Sequence, residues 1–76
     1  MTNPTLKDAK ELLDVLSSAK SILIKIYRGS QAIGFPDGSG NTTVERVTPA
    51  IGNCMCETDE AIGAVEDYIK ELEDGV

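Results

Sequence analysis

From Leu6 onward, apolar residues recur at intervals of three and four. Leu6, Ala9, Leu13 and Leu16 form one stripe, and Leu12 widens it. That spacing places them on one side of a helix, with Lys7, Lys10, Glu11, Asp14 and Ser18 on the other. Thr5 stands where the first turn needs a cap, and Asp8, three residues on, completes a capping-box-like pair. The pattern predicts a helix from Thr5 to about Ala19.

At Ser21 the period changes to two. Ile22, Ile24 and Ile26 alternate with Leu23, Lys25 and Tyr27, and the β-branched density agrees with a strand from Ser21 to Arg28. Gly29-Ser30 fits a two-residue type II′ turn, because glycine in first place supplies the positive φ. A second strand then runs from Gln31 to Phe35, with Ile33 and Phe35 on one face. Pro36 to Asn41 is a turn-forming cluster. Thr42 to Thr48 predicts a third strand; Val44 and Val47 fall on opposite faces, which a bulge or an edge position reconciles. Pro49 ends it, and Ala50 to Glu57 is irregular. Thr58 caps a second helix with Asp59 and Glu60 in its first turn. Ile62, Val65, Ile69 and Leu72 form its apolar stripe, Ala61 and Tyr68 flank it, and Gly75 closes it.

The order is α-β-β-β-α. It predicts an α+β fold, a three-stranded antiparallel meander with two amphipathic helices packed on one face. The other sheet face, with Lys25 and Tyr27, is either solvated or a dimer interface. Seventy-six residues make a single small domain, 1–76. A chain of this length buries only about 60% of the surface its unfolded form exposes. Cys54 and Cys56, one residue apart, close no useful disulfide loop. A homo-oligomer, dimer or higher, is therefore expected. The polar N-terminal residues carry no signal sequence, and the longest aliphatic run, Ile22-Leu23-Ile24, is far short of a membrane span. The expectation is a soluble, cytoplasmic protein without a membrane partner.

Charge sharpens the picture. Met1 to Cys56 carry six bases against five acids, whereas Glu57 to Val76 carry eight acids against Lys70 alone. A nearly neutral body thus bears a strongly acidic C-terminal element, which favours a basic partner over nucleic acid or anionic membrane. The α-β-β-β-α order is shared with double-stranded-RNA-binding domains, which need lysines at the start of the second helix to grip phosphates. Glu57-Thr58-Asp59-Glu60 stands there instead, so direct nucleic-acid binding is not expected. Small acidic α/β phage proteins that block CRISPR enzymes are similar in size, charge and architecture. That similarity implies an inhibitor, encoded by a phage or mobile element, of a basic nucleic-acid-handling or defence protein.

Two surfaces are candidates for binding. The first is the acidic side of the second helix, with Asp59, Glu60, Gly63, Asp67, Glu71 and Asp74, where a bare glycine among carboxylates lets a basic group approach closely. Its plainer reading is a solvated helix face. The second is a loop, Gly38, Ser39, Gly40, Asn41, Thr42 and Thr43, whose N–H groups and hydroxyls suit a phosphate, with Arg28 and Tyr27 nearby. It lacks the glycine–lysine spacing of a P-loop and opens no predicted helix; its plainer reading is a hairpin connection. The alternative function attached to it is a homo-oligomer that sequesters a small phosphorylated or nucleotide ligand. Two thiols just before a helix are too few for a metal site, and the chain has no histidine. No serine or cysteine has a visible base partner, so neither catalysis nor a cofactor is expected.

Overall fold

A computed structural model of the chain describes residues 3–37 and 41–75. They form two long helices, α1 (Leu6–Ala32) and α2 (Thr43–Glu73), folded back on each other as an antiparallel hairpin. The particle is a rod of 49 × 21 × 20 Å. Its length matches the 31 residues of α2 at about 1.5 Å rise each.

The α+β meander is overturned: among the described residues there is no strand. Ser21–Arg28, Gln31–Ala32 and Thr43–Thr48 are all helical. A single heptad rule organises both helices. In α1 the inward positions are Leu6, Ala9, Leu13, Leu16, Lys20, Leu23, Tyr27 and Ser30, alternately three and four apart. In α2 they are Thr48, Ile51, Met55, Thr58, Ile62, Val65, Ile69 and Leu72. Every one of these residues is at least partly buried. The seam nevertheless holds only two fully buried apolar residues, Ala9 and Ile69, because two helices cannot enclose a core.

The strand-like alternation at Ser21–Arg28 has a simple cause. Leu23 and Tyr27 belong to the seam, Ile22 and Ile26 to a second apolar stripe one residue behind it, and Ile24 to the opposite flank. Two adjacent stripes on one helix read as period two over a short window.

The helix boundaries explain the other corrections. Thr5 caps α1 as expected: Asp8 N–H donates to Thr5 Oγ1 at 3.2 Å, and Thr5 N–H donates to Asp8 Oδ2 at 3.2 Å. Gly29-Ser30 is helix rather than turn. The reversal falls later, where Gly34 takes φ 104° and ends α1 in a Schellman pattern. There Phe35 N–H donates to the Ser30 carbonyl at 2.9 Å, and Gly34 N–H to that of Gln31 at 3.1 Å. Thr42 caps α2 by accepting from Glu45 N–H at 3.2 Å. Pro49 ends nothing; it lies inside α2, where it has no N–H to contribute to the ladder. Ala50–Glu57 is regular helix. Thr58 is a mid-helix residue whose hydroxyl donates to the Cys54 carbonyl at 2.7 Å, one turn back. Gly75, at φ 77°, follows the C-terminus of α2 as expected.

Candidate functional site

The seam divides the hairpin into two unlike sides. Positions one residue after the seam collect charge. Lys10 of α1 pairs there with Glu73 of α2 at 3.6 Å, and Asp59 pairs with Lys20, whose stem lies in the seam. Positions one residue before the seam are mostly apolar on both helices, with Asp8, Glu57 and Glu71 as the acids among them, and form a second, open stripe.

The acidic residues of α2 occupy its outer surface. Glu60, Asp67 and Asp74 recur every seven residues, on the line of α2 farthest from α1, and all three are exposed. Gly63 stands beside that line, and a Cβ added to it meets nothing within 4 Å. Glu71 lies toward the apolar stripe. Asp59 differs from the rest, being held by Lys20 across the seam. Among the described residues, no base lies within ion-pair distance of Glu60, Glu66, Asp67, Glu71 or Asp74. The sequence-predicted acidic residues therefore share one helix, with Asp59 turned to an internal task.

Gly38, Ser39 and Gly40 lie outside the described residues. The segment does open a helix, contrary to expectation, but Thr42 spends its hydroxyl on the cap, accepting from Glu45 N–H and donating to Glu45 Oε1 at 3.0 Å. Thr43 is the first residue of α2, and Asn41 and Arg28 are exposed. Tyr27 turns inward, its ring 3.6 Å from where a Cβ on Gly52 would stand. Its hydroxyl donates to Asp37 at 3.3 Å. Burial, then the Asp37 charge and that hydrogen bond, raise the phenol above the ordinary 10.0. The carboxylates of Asp37 and Glu45 thus sit at the loop where an anion was expected.

Cys54 and Cys56 are exposed in the middle of α2, not before its N-terminus. Cys54 is on the apolar stripe and Cys56 on the outer side. Among the described residues, no three histidine, cysteine or carboxylate groups converge as a metal set. No helix among them is long and apolar enough to cross a membrane.

The apolar stripe went unread in the sequence. On α1 it comprises Leu12, Val15, Ala19, Ile22 and Ile26, of which Leu12, Val15, Ile22 and Ile26 are 49%, 64%, 57% and 46% exposed. On α2 it comprises Val47, Ala50, Cys54, Ala61, Ala64 and Tyr68, interrupted by Glu57. In an antiparallel pair, stepping back one residue from the seam rotates both helices toward the same side. An open groove of about 340 Å³ near the Pro4 end agrees: Leu12 of α1 and Ala64 and Tyr68 of α2 line it together, with Pro4, Asp8 and the seam residues Ala9 and Val65. The signal was present as a second set of three-and-four spacings in phase with the first. No family model, no curated protein and no solved structure matches the chain.

Proposed function

We propose that this protein acts by binding rather than by catalysis, and that the outer face of α2 docks on a basic protein surface. The observation that supports it most is the line of Glu60, Asp67 and Asp74, set on a rigid helix with no base among the described residues close enough to neutralise it. Solvation alone would be served by mixed charge; here eight acids stand against Lys70 between Glu57 and Val76. Such a surface steers association with a cationic partner and competes with polyanions for it. Gly63 leaves space beside the carboxylates for the stem of a lysine or arginine. An inhibitor of a nucleic-acid-handling protein is one partner class that fits.

The test uses immobilised poly-lysine as a defined basic probe and compares two variants of equal net charge. Glu60→Lys/Asp67→Lys is expected to weaken binding and flatten its salt dependence. Glu11→Lys/Asp14→Lys, on the outer side of α1, is expected to retain most of it. Equal losses from both pairs would show that only total charge matters and would end the proposal of a defined surface.

A further inference from the structure

We infer that the apolar stripe is the interface of a homodimer in which two hairpins stack face to face as a four-helix bundle. The argument begins with area. A folded monomer of 8.1 kDa is expected to expose about 4,500 Å². This chain exposes 5582 Å², a surplus on the order of 1,000 Å². Part of that surplus belongs to the elongated shape. A specific interface covers about 800 Å² on each partner, so the remainder is of the size that a second copy would cover. Four of the six exposed large apolar residues lie on the open stripe of α1, where Val15 and Ile22 are more exposed than buried; the other two, Ile33 and Val44, are at the turn.

Side-chain size selects the orientation. The stripe of α1 carries the large residues Leu12, Val15, Ile22 and Ile26, whereas the middle of the α2 stripe is small, with Ala50, Cys54, Ala61 and Ala64 between Val47 and Tyr68. A two-fold axis parallel to the helices sets α1 of each copy over α2 of the other, large against small, with every neighbouring pair antiparallel. The alternative two-fold, across the helices, sets large against large and small against small. Charge agrees with stacking. The line of Glu60, Asp67 and Asp74 points away from the shared face. Of the acids on the stripe, Asp8 and Glu71 stand at the end of the rod away from the turn, and Glu57 is exposed midway along α2. The inference does not rest on the acidic surface having a partner.

Sedimentation equilibrium of the full chain, combined with alkylation of the native protein by N-ethylmaleimide, tests it. The expected mass is twice 8.1 kDa, falling to the monomer on dilution. Cys54 should react far more slowly than Cys56 in the dimer, although both are exposed in the isolated hairpin. Val15→Lys/Ile22→Lys should be monomeric, with Cys54 as reactive as Cys56. Should that variant fail to fold, the mass and thiol rates of the unaltered protein still decide. A monomer at every concentration, or a dimer in which Cys54 stays as reactive as Cys56, overturns the inference. So does a closed assembly of another size, or a stripe occupied by lipid or another protein in place of a second copy.

Discussion

Thr48 is the most deeply buried residue of the hairpin, at 0% exposure, and it is polar. Its hydroxyl lies 3.3 Å from Ser30 Oγ and 3.5 Å from the Phe35 carbonyl, while Ser30 donates to the Tyr27 carbonyl at 2.8 Å. This cluster ties the last turn of α1 to the first turns of α2. Thr48→Val keeps the shape but removes the hydroxyl, and should cost about 1 kcal/mol in urea unfolding. Ser30→Ala added to it should cost less than the same change alone, because the two hydroxyls face each other. Tyr27 offers a second readout. A phenol raised in the folded state favours the neutral form, so its contribution is intact below pH 10.0 and is lost as pH climbs through the raised value. In a Tyr68→Phe background, Asp37→Asn should bring the ultraviolet titration of Tyr27 closer to that of free tyrosine, leaving the part due to burial. Gly63→Ala should raise stability by up to about 1 kcal/mol. The same change should weaken binding to a basic partner if that partner uses the gap.

At the scale of the elements, legibility depended on whether one stripe or two ran along a helix. Thr5–Ala19 and the second half of α2 were readable because a single three-and-four stripe dominated each. Ser21–Arg28 was not, since Leu23 and Tyr27 on the seam, Ile22 and Ile26 on the open stripe and Ile24 on the far flank filled five closely spaced apolar positions. Thr42–Glu57 failed for another reason: Pro49 and Gly52 both argue against helix locally, and packing along the seam overrides them. The stop signal for α1 was present as Gly34 followed by Pro36, but the strand reading had already consumed it. Gly34→Ala should therefore destabilise by about 1–2 kcal/mol, since φ 104° is costly for any residue with a Cβ. Pro49→Ala should do the opposite, by as much as about 3 kcal/mol. Thermal melts of the two variants, moving in opposite directions, check both.

For the whole molecule, the charge division between the two parts of the chain was legible and the topology was not. Of the acidic residues predicted for one surface, Glu60, Asp67 and Asp74 share a line, since their seven-residue repeat survives any error in the remaining elements, while Asp59 and Glu71 fall to either side of it. The loop site was framed on a hairpin connection between strands, whereas its described residues open a helix: Thr42 caps α2 and Thr43 begins it. The two ends of the chain are tied together: Tyr68 donates to the Pro4 carbonyl at 2.7 Å across 64 positions of sequence. Tyr68→Phe should loosen the residues before α1 while lowering global stability by about 1 kcal/mol or less.

That long-range tether and the Ser30–Thr48 pair mark the two ends of a ladder. Near the turn, partners are 18 residues apart; at the open end they are 64 apart. Closing the near rungs first shortens the loop that each later rung must close, so chain entropy favours zipping away from the turn. Helix formation and rung closure then reinforce each other along one direction. Refolding should gain the contacts around Thr48 before those around Tyr68. In the native protein, amide hydrogens should exchange fastest at the Pro4 end and slowest near the turn, making the rod a molecule that opens from one end like a clasp.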